Sequence, residues 1–115
     1  YKGIVVGTGN KVEDYGVGFY TKYGDGGVDI APIADLYKTE VWELGKHLGV
    51  DSRIVEAKPT DGLWDDKRTD EDQLGASYTE LEEAMEHGTG SAVEVLKKFN
   101  TQNKHKMEPI PTFKL

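Results

Sequence analysis

The feature that most constrains this chain is the concentration of glycine in residues 7–31, which hold seven of its 14 glycines. Such a segment favours loops and turns over a long helix or strand, with at most a short helical turn near residues 11–15. Directly before it, Ile4-Val5-Val6 is a short apolar run typical of a buried parallel strand. We therefore expect an α/β protein in which glycine loops follow the carboxyl end of a strand, where open sheets bind ligands.

Two motifs in this glycine-rich segment carry residues suited to nucleotide binding. In Gly7-Thr8-Gly9-Asn10, the Thr8 hydroxyl is available to a base, ribose or phosphate, although a plain Gly/Asn turn would look the same. In the run 22–29, Lys22 and Asp29 flank three glycines. Lysine binds phosphate, and a carboxylate accepts hydrogen bonds from sugar hydroxyls or amides. An Asx turn without a ligand is the alternative for this run, whereas its acids lack the spacing of a calcium loop.

Four further positions are candidate ligands of a nucleotide or its metal. Glu13 can supply the single carboxylate that holds Mg²⁺ beside phosphates and waters, or be an ordinary acid at a helix start. Lys38 lies at the edge of a predicted apolar stripe, where a solvated surface lysine is the default alternative. Thr60 and the pair His105-Lys106 either contact a negative ligand or serve as a loop cap and surface charge.

Composition excludes several classes of function. The net charge of −7 argues against a nucleic-acid partner, which needs a basic face, but a few lysines still suffice for a small nucleotide. The absence of cysteine rules out disulfides, thiolate catalysis and cysteine metal sites, and it suits the cytoplasm. The sequence contains no apolar run of the length a membrane helix requires. No nucleophile triad can be assembled, and three scattered histidines do not predict a metal site.

Helical periodicity dominates the rest of the chain. The irregular residues 57–68 have no period and many turn formers, which is typical of a functional or mobile loop. Beyond Lys106, the tail with Pro109 and Pro111 is expected to be extended. The predicted helices are one from Ile33 to Leu48 with Pro32 near its first position, a brief one from Asp51 or Ser52 to Glu56, one starting at Thr69, one capped by Ser77 and Glu80 and ended by Gly88, and one capped by Ser91 and Glu94.

Several blocks of the sequence, in this order and spacing, closely resemble the C-terminal half of bacterial NAD synthetase, the NH3-dependent NAD+ synthetase family. These are GTGNKVED (7–14), TKYGDGGVDIAPIADLYKTEV (21–41), EAKPTDGLW (56–64), RTDEDQLG (68–75) and HK (105–106). The resemblance implies an α/β fold of the adenine-nucleotide α-hydrolase-like (N-type ATP pyrophosphatase) class, a parallel sheet sandwiched by helices, in a cytoplasmic homodimer. It also implies a ligase that activates deamido-NAD with ATP as an adenylylated carboxylate, releasing pyrophosphate. Ammonia then displaces AMP and gives NAD.

Site roles also follow from the resemblance, residue by residue. Glu13 is similar to the family's Mg²⁺ ligand. Segment 56–75 is similar to a mobile loop that closes over the site. The implied ATP contacts are Thr8, Lys38 and Thr60, and the implied deamido-NAD contacts are Lys22, Asp29, His105 and Lys106.

Two family elements have no counterpart in this sequence. The SGGxDS pyrophosphate loop and an arginine contact to deamido-NAD lie upstream in the family, so residues 1–115 are expected to be the C-terminal segment of a single domain, inactive alone. The nitrogen donor, ammonia or glutamine, is left open. Two alternatives also stay open: another ATP pyrophosphatase, such as a GMP or asparagine synthetase relative, and a non-catalytic nucleotide-binding or dimerisation module. An acidic interaction domain would require every matched block to be a coincidence.

Overall fold

A computed structural model describes residues 2–115 and shows a mostly helical arrangement. Within this described part, no helix is long and apolar enough to cross a membrane. A π-helical segment, Val12–Val17, comes first. The α-helices that follow are α1 (Lys38–His47), α2 (Ser52–Val55), α3 (Asp70–Leu74), α4 (Tyr78–His87) and α5 (Val93–Met107).

The hydrophobic core lies where the π-helical segment packs between α4 and α5. Gly16 makes this close approach possible, because a Cβ there would lie only 2.6 Å from the Met85 sulfur. The short helical turn expected near 11–15 is thus confirmed, in π-helical form and displaced toward Val17. The fully enclosed apolar side chains are Val12, Val17, Leu74, Tyr78, Leu81, Ala84 and Ala92.

The predicted starts of α3 and α4 are confirmed by complete capping boxes. The Thr69 hydroxyl accepts the Asp72 amide at 3.1 Å, while the Asp72 carboxylate accepts the Thr69 amide at 2.9 Å. Ser77 and Glu80 exchange the same bonds at 3.2 and 2.9 Å. These contacts satisfy amides that a helix start leaves unpaired, so local sequence alone fixes both boundaries.

The first long helix begins five residues later than Ile33, which corrects the prediction there. Residues 32–36 form turns, and α1 starts at Lys38 because the Glu40 side chain accepts the Tyr37 amide at 2.7 Å. Its expected buried stripe is also largely open, since Leu44 is 39% and Leu48 69% exposed. Periodicity therefore identified the helix but not its first residue or its covered face.

The capping box predicted at Ser91 and Glu94 is also wrong. Helix α5 follows Ala92, and no side chain caps it. Because the helix starts at Val93, its N-cap position is Ala92, and Ser91 lies one residue too early to cap it. The Ser91 hydroxyl donates instead to Glu80 Oε1 at 2.7 Å.

The predicted parallel sheet sandwich is not formed within residues 2–115. One isolated parallel bridge joins Val6 to Ile30, supported by the Gly7 amide donating to the Ile30 carbonyl at 2.7 Å. The expected buried strand is open, with Ile4 65% and Val5 55% exposed. The apolar run pairs in parallel as predicted, but the described residues supply only one neighbour and no helices to cover it.

Candidate functional site

The first part of the candidate site is an ion pair between Glu13 and Lys38. Lys38 Nζ lies 3.0 Å from Glu13 Oε1, and both side chains are mostly buried, 19% and 16% exposed respectively. Asn10, itself 1% exposed, positions the carboxylate, since its Oδ1 accepts the backbone amides of Val12 and Glu13. The structure thus joins two predicted site residues that are 25 positions apart in the chain.

Tyr78 and Asp70 extend this ion pair into a buried network. The Tyr78 hydroxyl donates to Glu13 Oε1 at 2.9 Å and lies 3.2 Å from Asp70 Oδ2. The Lys38 ammonium also sits 5.1 Å from the centre of the Tyr78 ring, a cation–π contact. We call Glu13, Lys38, Tyr78 and Asp70 the carboxylate network.

Burial changes the acidity of this network. Desolvation raises the pKa of Asp70 above its ordinary value of 3.8, although the hydrogen bond from Tyr78 opposes the change. Desolvation, followed by the charges of Glu13 and Asp70, raises the pKa of Tyr78 as well, so its hydroxyl keeps its proton. Tyr78 is therefore a fixed hydrogen-bond donor between two carboxyl groups.

The second part of the site is a pair of adjoining cavities. The larger has a volume of about 440 Å³ and lies beside Phe19, Thr21, Asp61 and Leu63. The smaller, about 210 Å³, reaches the Gly7 and Gly9 backbone and Asp14. Both are lined by Tyr20, Asp25 and Lys106, which therefore form their common wall.

The common wall combines a cation, an aromatic ring and one acid, Asp25, and a second acid, Asp14, lines the smaller cavity beside it. Lys106 Nζ donates to the Gly18 carbonyl at 2.9 Å and sits 5.6 Å from the centre of the Tyr20 ring. Desolvation, reinforced by Glu13 and Asp25, raises the pKa of Asp14. Gly9 lies close to the same acid, since a Cβ there would meet the Asp14 carboxylate and force that side chain to move.

Two more predicted ligand contacts, like Lys106, are engaged with the chain's own backbone. Lys22 Nζ donates to the carbonyls of His105 and Glu108, the latter at 2.7 Å, and so binds the C-terminal end of α5. Asp29 Oδ2 accepts the Val5 amide at 2.7 Å beside the parallel bridge. Around the glycines, the Asp25 carboxylate accepts the Thr21 amide, which lies earlier in the chain, instead of forming an Asx turn.

The remaining predicted residues lie apart from the carboxylate network. Thr8 is exposed between the two cavity glycines. Thr60 closes the base of its loop, since its hydroxyl donates to the Arg68 carbonyl at 3.1 Å and accepts the Gly62 amide. Whether Thr8 and Thr60 contact ATP therefore stays a prediction.

Sequence reasoning missed Asn10, Tyr20, Tyr78 and Asp70 as site residues. The role of Asn10 could have been predicted, because it ends the glycine motif three residues before Glu13. At that spacing an N-cap side chain accepts a backbone amide. Tyr78 lies 65 residues from Glu13, and no local pattern announces a contact at that distance.

A sequence profile of the NAD synthase family matches residues 1–111, nearly the whole chain. The chain belongs to this family. The NH(3)-dependent NAD(+) synthetase of Archaeoglobus fulgidus is 57% identical over 82 residues, covering 71% of this chain and 32% of that protein. The enzyme of the same name from Methanosarcina acetivorans is 42% identical over 125 residues, covering 94% and 48%. The resemblance first drawn to bacterial NAD synthetase therefore extends to archaeal members.

The structure of this chain is also similar to a solved structure. The NMN synthetase from Francisella tularensis superposes on this chain with a TM-score of 0.86 and 37% sequence identity, covering all of this chain and 48% of that one. The chain thus has the fold of the corresponding part of a NAD synthase family member. It spans at most about half the length of the relatives it matches.

Proposed function

We propose that these residues form part of the active site of a NAD synthetase, a ligase that uses ATP to amidate deamido-NAD. The observation that carries the proposal is the Glu13–Lys38 pair at 3.0 Å beside a glycine loop. It brings a carboxylate suited to a metal next to a cation suited to phosphate. In this proposal Lys38, Thr8 and Thr60 contact ATP, and Lys22, Asp29, His105 and Lys106 contact deamido-NAD.

The residues present fit Mg²⁺ as the metal. Glu13 Oε2 makes only a long contact, 3.3 Å, with the Asn10 amide, so it has lone pairs free for a cation. The described residues contain no group of three or more histidine, cysteine or acidic side chains that would form an all-protein cage. Mg²⁺ commonly binds through one or two carboxylates together with phosphates and waters, and when bound it neutralises phosphate charge.

In this proposal, the protein's own side chains orient the substrates and complement their charges. Lys38 is held by Glu13 and the Tyr78 ring, so its ammonium is preorganised for a phosphate that displaces the carboxylate contact. The common wall suits the other substrate. Tyr20 with Asp14 and Asp25 offers an aromatic, anionic surface to a positively charged nicotinate ring, and Lys106 offers a cation to its pyrophosphate.

In this proposal, the loop of residues 56–75 covers the site and keeps water out. Asp61 and Leu63 already line the larger cavity, so movement of this loop changes its opening. An activated carboxylate needs such a cover, because water competes with ammonia for it. We also propose a homodimer in the cytoplasm, from family likeness.

The decisive assay uses the longest natural protein that contains these 115 residues. NAD and AMP should appear together from deamido-NAD and Mg-ATP, with ammonium and glutamine tested separately as nitrogen donors. Lys38→Met should raise the KM for ATP, whereas Lys97→Met, on exposed α5, should not. A folded protein that forms no NAD with either donor would favour a non-catalytic nucleotide-binding module.

A second substrate belongs in the same assay. The similar Francisella tularensis structure is that of an NMN synthetase, so the mononucleotide lacking the amide should be tested beside deamido-NAD. The substrate with the higher kcat/KM identifies the activity. If only the mononucleotide reacts, the amidation chemistry stands but the dinucleotide proposal fails.

A further inference from the structure

Two residues of the carboxylate network, Tyr78 and Asp70, have no role in the function proposed above. Asp70 is only 8% exposed, and its Oδ1 is the one buried side-chain oxygen or nitrogen in residues 2–115 without a hydrogen-bond partner. A buried polar atom left unpaired is costly to stability, so its retention calls for an explanation. The other oxygen, Oδ2, lies 3.2 Å from the Tyr78 hydroxyl.

Asp70 is also where the irregular loop ends. Its amide donates to the Pro59 carbonyl at 3.0 Å, which closes the two ends of the loop against each other. Next to this contact, the Thr60 hydroxyl donates to the Arg68 carbonyl at 3.1 Å. A displacement of the base of the loop therefore moves Asp70 and Thr60 together.

Tyr78 connects this base to Glu13. Its side chain is fully buried and its ring packs edge-on against Trp42, with centroids 6.2 Å apart. Packing fixes the ring, so the hydroxyl has one position between Glu13 Oε1 and Asp70 Oδ2. Among residues 2–115, Tyr78 is thus the one residue that hydrogen-bonds both the predicted metal carboxylate and the first residue of α3.

We propose that Tyr78 and Asp70 are positioning residues. They link Glu13 to the base of the irregular loop, where the Asp70 amide meets the Pro59 carbonyl. The arrangement of the loop and the orientation of the carboxylate are then set together. The inference rests on the proposed function for its catalytic consequence, because Glu13 is the Mg²⁺ ligand there. Its structural part, the tie between loop and carboxylate, stands on the hydrogen bonds alone.

The test compares Tyr78→Phe with Ser77→Ala in the natural protein. Phenylalanine keeps the buried ring and removes only the hydroxyl. Alanine at Ser77 removes the cap of the same helix but leaves the carboxylate network intact. Without any ligand, trypsin should cut after Lys67 or Arg68 roughly fivefold faster in Tyr78→Phe than in wild type, as expected for one lost buried hydrogen bond. Ser77→Ala should not change this rate.

A second readout reports on the carboxylate. Tyr78→Phe should raise the Mg²⁺ concentration for half-maximal NAD formation by about tenfold, typical of lost contacts behind a metal ligand, with a smaller effect on kcat at saturating Mg²⁺. Asp70→Asn keeps a group that can hydrogen-bond the Tyr78 hydroxyl, so it should retain more of the wild-type Mg²⁺ dependence than Asp70→Ala.

The outcomes separate the two proposals. An active protein in which Tyr78→Phe changes neither readout, or in which Ser77→Ala changes both equally, overturns this inference and leaves the proposed function intact. A protein that forms no amide product overturns the proposed function. In that case the trypsin rates still decide whether Tyr78 and Asp70 hold the loop.

Discussion

Glu13 is held by contacts from three separate parts of the chain, namely Asn10, Lys38 and Tyr78. The first is local and readable from the motif, and the resemblance already paired Glu13 with Lys38 in one site. The contact with Tyr78 depends on how α4 packs against the π-helical segment, which no local pattern encodes. The sequence therefore predicted the candidate ligands Glu13 and Lys38 but not Tyr78, which contacts both of them.

Glu13→Gln should weaken metal use and modestly reduce stability. Glutamine keeps the shape but loses the charge that pairs with the mostly buried Lys38 side chain. We expect the Mg²⁺ requirement to rise at least about tenfold and the free energy of unfolding to fall by about 1–2 kcal/mol. Metal titration of turnover and denaturant unfolding measure the two effects. Glu94→Gln, which alters an exposed pair on α5, is the control, and a normal Mg²⁺ requirement in Glu13→Gln would remove Glu13 from the metal site.

Asp70 should make a pH-dependent contribution to stability. Because burial raises its folded-state pKa above the ordinary value of 3.8, the folded protein binds this proton more tightly than the unfolded protein. The stabilisation is fully present below pH 3.8 and is lost as the pH rises through the folded-state pKa. The free energy of unfolding of wild type minus that of Asp70→Asn should therefore decrease over that rise. A difference that is flat or increases with pH would contradict a raised pKa.

Among the secondary-structure elements, capping chemistry predicted boundaries better than apolar periodicity did. The box predicted at Ser77 is correct because it needs only residues three positions apart, and the helix start predicted at Thr69 is confirmed together with a capping box that had not been predicted. The Ser91 prediction failed because the helix begins one residue later than expected, with Ala92 at the N-cap position. The start predicted at Ile33 failed because periodicity does not show where the backbone bonds begin.

Two serine substitutions test this difference directly. Ser77→Ala should lower the free energy of unfolding by about 1 kcal/mol, since it removes a true N-cap. Ser91→Ala should cost only a few tenths, because it loses one exposed hydrogen bond and no cap. Denaturant titration of the two variants side by side measures both values. Equal losses would restore Ser91 as a capping residue.

Lys22 should stabilise the end of α5 even without substrate. Its ammonium binds two carbonyls there, and a cation at a helix C-terminus contributes about 0.3–1 kcal/mol. Lys22→Met should therefore speed amide hydrogen exchange at residues 105–107 about twofold to fivefold in the ligand-free protein. Lys97→Met, on the same helix, should not. No change in exchange would leave Lys22 with a substrate contact as its only role.

At the scale of the whole molecule, the sequence predicted the family and the helices, but it did not predict that the parallel pairing would be exposed. The run Ile4-Val5-Val6 does pair in parallel with residues near Ile30, but both strands remain exposed. A parallel strand is buried only when neighbours cover both faces, and residues 2–115 do not provide them. The chain spans at most about half the length of its matched relatives. Whether the sheet is sandwiched by helices must therefore be examined in the natural protein.

The most direct test follows the carboxylate oxygens of deamido-NAD, labelled with ¹⁸O, through one turnover with Mg-ATP and ammonium in the natural protein. An adenylylated intermediate predicts that NAD keeps one labelled oxygen and AMP acquires the other, because ammonia displaces the oxygen that was bonded to phosphorus. Mass spectrometry of AMP and pyrophosphate reads the result. Label in AMP and none in pyrophosphate would establish the proposed reaction, whereas unlabelled AMP, or label in pyrophosphate, would contradict it.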